Sequence, residues 1–442
     1  MIRKQFLTVC LFLSAFIINA QDRKIEFTEF DMDNGIHVIL HQDNATPIVV
    51  VSVMYHVGSK NEDPKRTGFA HFFEHLLFEG SENIARGEFD KYITNAGGIN
   101  NANTSNDRTY YYEVLPSNQL ELGLWLESER LMHANIDQVG VDTQREVVKE
   151  EKRQRVDNQP YGSILGEIAK RAYTEHPYRW TTIGSLEHLN AASLEEFMQF
   201  YETFYVPENA TISIAGDIQL DEAKALVKKY FADIKQGGNE IPRPSIVEPQ
   251  QKQEVRDTIY DNIQLPAVIQ AYHMPAQGED DSYALEMLST VLSGGQSARL
   301  YKSLVDEQQK ALSVQAIPFS SEDPGLYLLF GLPTIGGSLE DLETAMGVEI
   351  DKLKNELISD TEFAKVRNQV ENNFISGNST MTGIAESLAN YHVYYGDAEL
   401  INNEIDRYMK VTKEDIQKVA KKYLSEENRV VLYYLPKAQQ NN

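Results

Sequence analysis

Apolar and polar positions alternate well enough over Gly35 to His41 and over Pro47 to Val57 to predict two strands. Gln42 to Thr46, with its Asp43-Asn44 pair, is the turn between them. At Gly68 to Phe78 the period lengthens to that of a helix. Asn100 to Leu115 begins polar and runs into Thr109-Tyr110-Tyr111-Tyr112-Glu113-Val114, a composition that suits a strand. Leu120 to Met132 and Val141 to Val156 are again helical patterns. Ser193 to Tyr205 reads as a helix, Pro207-Glu208-Asn209 as a turn, and Ala210 to Ala215 as an apolar strand.

That last succession occurs twice. Thr412 to Tyr423, Ser425 to Asn428 and Arg429 to Leu435 repeat it at the end of the chain. Thr143-Gln144-Arg145-Glu146-Val147-Val148 also has a counterpart in Thr361-Glu362-Phe363-Ala364-Lys365-Val366. The economical reading is two copies of one α+β unit in tandem. Between them Gln236 to Gln253 contains Gly-Gly, three prolines and Gln250-Gln251-Lys252-Gln253, with little apolar periodicity. This predicts a linker over 236–256 that separates an N-terminal domain, 21–235, from a C-terminal one, 257–442. Each is about 200 residues, an ordinary domain size.

The start of the chain reads differently. Arg3 and Lys4 precede an apolar stretch from Phe6 to Ile18, with a small residue at Asn19-Ala20, the pattern of an export signal cleaved before Gln21. The protein is therefore expected in the periplasm or outside the cell, with no transmembrane anchor in the mature chain. Cys10 is the only cysteine and leaves with the signal, so disulfides and thiolate metal sites are excluded. The net charge of −25 argues against nucleic acid and anionic membrane surfaces as partners.

The candidate chemistry lies on the predicted helix 68–78. Residues three and four apart share one helical face, so His71, Glu74 and His75 project together. Two imidazoles one turn apart can reach one zinc ion, and Glu74 between them can accept a proton from an activated water. A catalytic zinc takes three protein ligands. His37, His41, His56, His133, His176, His188, His273 and His392 are scattered and read as packing or surface residues. The acidic positions of the helix 141–156, Glu146, Glu150 and Glu151, are better placed to supply a carboxylate, and spacing alone does not choose among them.

The stretch Gly68-Phe69-Ala70-His71-Phe72-Phe73-Glu74-His75-Leu76-Leu77-Phe78-Glu79-Gly80-Ser81 resembles the signature helix of the pitrilysin and insulinase family of zinc peptidases, in its processing-peptidase branch. Asn101-Ala102-Asn103-Thr104-Ser105, Arg145 to Glu151 and Leu292 to Tyr301 are similar to three further family segments: the substrate-binding edge strand, the distal glutamate helix, and the helix start of the second domain. The resemblance implies tandem α/β-sandwich domains forming one half of a clamshell, and one Zn2+ per chain. It makes Glu151 the third ligand, with Glu150 as runner-up, and Glu146 a supporting carboxylate that orients a histidine. It implies hydrolysis of unfolded or extended peptides laid along Asn101, Ala102, Asn103 and Thr104. Family members add an arginine and a tyrosine facing the metal. Tyr327 stands where that tyrosine is expected, but no arginine occurs between Arg299 and Arg367. A homologous subunit supplying the arginine, in a heterodimer, is the expected partner, with a homodimer as the alternative. The rival function is a non-catalytic zinc-binding assembly subunit of the same fold.

Overall fold

The alternating segments of the first half become strands close to where they are expected. The computed structural model describes residues 24–437, so the export signal, Cys10 and the polar tail from Gln439 lie outside the described residues. The first half contains β1 (Thr28–Asp31), β2 (His37–Gln42), β3 (Ile48–Tyr55), β4 (Ile99–Thr104), β5 (Thr109–Pro116) and β6 (Ala210–Gly216). The second contains β7 (Val255–Asp261), β8 (Ala267–His273), β9 (Ala311–Phe319), β10 (Leu326–Pro333) and β11 (Arg429–Pro436). Between the last helix of the first half and β7, residues 234–254 form no helix or strand.

The two sheets share a topology. The first is ordered β1-β2-β6-β3-β5-β4 and the second β7-β11-β8-β10-β9. In each, the last strand of the half inserts beside the first long strand in parallel, and the remaining neighbours are antiparallel. Among the described residues only β1 lacks a counterpart. An identical order with an identical parallel step establishes two homologous α+β domains, independently of the local sequence matches.

The segment 100–115 forms a hairpin, its polar start as one strand and the tyrosine run as the next, because Ser105 folds the chain back. Its hydroxyl accepts the Asp107 and Arg108 amides at 3.1 and 3.0 Å. The polar half, β4, becomes the sheet edge, where asparagines can stay wet. The helix expected over 141–156 starts earlier, at Gln138, because the Asp137 carboxylate caps it by accepting the Gly140 amide at 2.7 Å. It widens into a π-helical turn over Arg153–Asp157.

Each sheet has one face buried by helices of its own half. In the first, Phe69, Phe72 and Phe73 pack with Leu124, Phe197 and Val227 against Val38, Val51 and Val53. The opposite faces are covered crosswise. Ile384, Ala385 and Leu388, on the helix Met381–Tyr395 of the second half, pack on Ile39, Val50 and Ala215 of the first sheet. Ile168 and Ala172, on the helix Ile164–Ala172 of the first half, pack on Ile269, Ala271, Leu328 and Leu432 of the second. This is why β6 is buried at every position and reads as a continuous apolar run. Each fully buried Ile or Leu contributes about 1.5–3 kcal/mol relative to exposure. Neither half therefore keeps its full core without the other.

Candidate metal centre

The helix carrying the histidines runs from Phe69 to Leu76. Its phenylalanines form one stripe. Phe69 and Phe72 both stack on Phe197 with ring centroids 4.5 Å apart, and Phe73 stacks on Phe200 at 5.4 Å. Burying that stripe turns His71, Glu74 and His75 away from the core. The helix starts at Gly68, whose φ of 100° is left-handed and whose backbone lies against Ile183 and Gly184; a side chain there would meet the Ile183 carbonyl at 2.9 Å. The first turn is held by Glu62, a buried carboxylate that accepts the Gly68 and Ala70 amides at 2.8 and 2.9 Å. Burial pushes the Glu62 carboxyl up to about 8, against the pull of those amides.

Glu151 projects from the next long helix, Gln138–Lys152, to the two imidazoles. Its Oε2 lies 3.0 Å from His75 Nε2 and 3.4 Å from His71 Nε2. One ligand atom from each of the three residues lies within 4.8 Å of the others. Oε2 is buried and makes no hydrogen bond. A buried carboxylate oxygen left in this state is costly unless a cation completes it. Ligand atoms bonded to zinc at about 2.0–2.2 Å lie roughly 3–4 Å apart, so this donor set fits the ion. The other Glu151 oxygen is held by Arg155 at 2.6 Å, which fixes the carboxylate's orientation.

The protonation states suit the same chemistry. Burial, reinforced by the charge of His75, lowers the His71 imidazole to about 4, so it is neutral and able to ligate. The close approach of the His75 imidazole, with the charges of His71 and Arg155, holds the Glu151 carboxyl below its ordinary value despite its burial. Burial raises the Glu74 carboxyl, opposed chiefly by a hydrogen bond that Glu74 Oε2 accepts from Thr104 Oγ1 at 2.7 Å. Thr104 ends β4, and β4 pairs only with β5 among the described residues. Asn101 and Asn103 are exposed along that edge, while Ala102 is buried.

Two expected site residues lie elsewhere. Glu146 is on the outer face of its helix, bonded to Lys149 at 2.8 Å, and touches neither histidine. Five positions at about 100° each place it well around the helix from Glu151. The residue that does line up is Gln144, seven positions before Glu151, which donates to the buried Glu79 just beyond the metal helix. Tyr327 is fully buried in the second domain's own core. The two-residue period of β10 sends Leu326 and Leu328 to the opposite face and Tyr327 to the helices. Glu62 and Gln144 escaped sequence reading because a cap from a loop and a contact across helices leave no periodic signal.

Glu150 is exposed and bound by Arg153 and Gln154 at 3.0 and 2.9 Å. Glu151→Gln is therefore expected to weaken zinc binding by at least about 10–100-fold, whereas Glu150→Gln leaves it near the parent value. Metal content after competition with a graded chelator measures both. The reverse order would put Glu150 on the metal.

Comparison with known proteins places these features in context. Residues 37–185 match the model of the insulinase family, Peptidase family M16, and residues 191–370 match that of the Peptidase M16 inactive domain. The helix Asp280–Ser293, which opens the second domain after β8, carries no histidine, in keeping with that description. The chain is 29% identical over 422 residues to the zinc protease PqqE of Helicobacter pylori, covering 95% of each. The crystal structure of a protease from Helicobacter pylori, also 29% identical, superposes with a TM-score of 0.89 over 93% of this chain and all of the other. The periplasmic protease PqqL from Escherichia coli has the same fold at 17% identity, with a TM-score of 0.78 over 94% of this chain and 48% of that longer one.

Proposed function

The chain belongs to the insulinase family of peptidases, M16, and from that premise we propose that it is a zinc-dependent endopeptidase acting on unfolded or extended peptides. The position of Glu74 carries the reading. It shares a helix with His71 and His75, which meet Glu151, and is hydrogen-bonded to the last residue of an open edge strand. A peptide added to β4 uses backbone hydrogen bonds, so it binds with little regard to sequence and brings its carbonyls past the site. Zinc held by His71, His75 and Glu151 would supply a Lewis acid that polarises the scissile carbonyl and makes water more acidic.

Glu74 then does the proton work. It takes a proton from the attacking water as the new C–O bond forms, and returns one to the amine as the C–N bond breaks. Its burial favours the protonated form, and the Thr104 hydroxyl holds the carboxylate in place. The phenylalanine stripe beneath the helix keeps one side of the site dry, which strengthens each charge interaction there.

The basic start and the apolar run from Phe6 to Ile18 motivate an exported, periplasmic or extracellular location. Among the described residues no helix is long and apolar enough to cross a membrane. An internally quenched peptide assay tests the activity. Hydrolysis is expected to vanish with a chelator and return with added zinc. Zinc binding with no hydrolysis under any condition would instead mark a non-catalytic assembly subunit.

A further inference from the structure

The opposite face of the first sheet brings together a second set of metal-ligating side chains, from residues whose sequence positions suggest only packing. β1 and β2 pair with Asp31 opposite His37 and Glu29 opposite Ile39. By the two-residue period these four side chains share one face. That face is the one covered by the helix Met381–Tyr395 of the second half, and His392 on that helix lands on His37. The two imidazoles are stacked, with centroids 3.4 Å apart and planes within 4°. One ligand atom each from Glu29, His37 and His392 lies within 4.8 Å of the others.

We propose that Glu29, His37 and His392 form a second divalent-metal site that ties the two halves of the chain together. The hydrogen bonding of His37 supports it. Nδ1 is 2.8 Å from Asp31 Oδ1, and Nε2 is 3.3 Å from Glu29 Oε2. A carboxylate accepting the Nδ1 proton is the usual companion of a metal-binding histidine, because it fixes the tautomer that leaves Nε2 free. Nε2 then points to the carboxylate that would share the ion.

Two imidazoles and a carboxylate select a borderline ion such as zinc, cobalt or nickel over calcium or magnesium. Stacked rings direct their lone pairs along parallel lines, so binding requires the rings to leave the stack. Rotation about χ2 of His392, a broad, soft torsion, is the natural route, because it leaves the bond between His37 and Asp31 in place. The ligands come from the first two strands and from a second-half helix. The ion would therefore lock the crosswise packing rather than take part in hydrolysis, and the site is independent of the chemistry proposed above.

Zinc content of the full-length chain, equilibrated with excess zinc and desalted, tests this directly. Two equivalents are expected in the parent, and one in His392→Gln and in His37→Gln. One is also expected in the double variant H71A/H75A, and none when His392→Gln is added to it. Zinc is expected to raise the melting temperature of H71A/H75A, and to lose that effect when His392 is also replaced. Should H71A/H75A fail to fold, the drop from two equivalents to one between the parent and His392→Gln carries the same information. A single equivalent in the parent, or a second that survives both His37→Gln and His392→Gln, overturns the proposal.

Discussion

Glu74→Gln is expected to lower peptide hydrolysis by about 10²–10⁴-fold, the span that a positioned general base contributes, with bound zinc unchanged. The amide matches the carboxylate in shape, and its oxygen can still accept the Thr104 hydroxyl that Glu74 accepts at 2.7 Å. It cannot take a proton from water. His71, His75 and Glu151 approach one another without using Glu74, so the donor set survives the change. Zinc analysis and a quenched-peptide assay on the same preparation separate the two consequences. Parent-like turnover would remove Glu74 from the chemistry. Lost zinc together with lost turnover would make it a structural part of the metal site instead.

The second large effect concerns assembly. We expect the purified chain to bind zinc yet hydrolyse peptides weakly, and a homologous chain carrying an arginine above the metal to raise turnover by about 10²–10³-fold. That is the cost of removing one donor from a developing oxyanion. The structure sharpens the reason. No arginine lies between Arg299 and Arg367. Arg299 is engaged at two points by Glu362, at 2.8 Å each. Tyr327 is sealed in the core. The second domain thus offers neither partner of the pair that the family resemblance implies. Lys302, largely exposed on the π-helix Tyr301–Glu307, is a cation open to use by a homodimer. Exposed apolar residues at the free edge of the second sheet, Leu312 and Phe319 on β9, provide surface for a second chain to cover. Rates for the chain alone across a wide concentration range, then with the homologous chain added, decide the matter. Full activity from self-association, indifferent to the added chain, defeats the heterodimer.

Most of the centre was legible because its ingredients are local. His71, Glu74 and His75 lie within five residues, and helical geometry alone puts them on one face. The repeat was legible for the same reason: each half closes with a capped helix and an apolar strand, Ser193 to Gly216 and Thr412 to Pro436. The family resemblance added Glu151, which the spacing of Glu146, Glu150 and Glu151 left open, and the approach of its Oε2 to both imidazoles agrees with that choice.

The placements that the sequence did not convey have a different origin. Glu146 depended on how far the helix turns between two acidic residues, and Tyr327 on which face of β10 meets which core. The Glu62 cap depends on a loop folding back onto the metal helix. The meeting of His37 with His392 requires a helix of one half to lie across the sheet of the other. Sequence alone determined the main strands and helices of the first half, that its closing helix and strand recur at the end of the chain, and that two histidines and a glutamate share a helical face, because backbone periodicity is set within a few residues. Tertiary structure alone decided which carboxylate reaches the histidines, which tyrosine is buried, and how each half covers the other's sheet. Those outcomes follow from burying apolar faces between segments far apart in the chain, and no local period encodes that pairing.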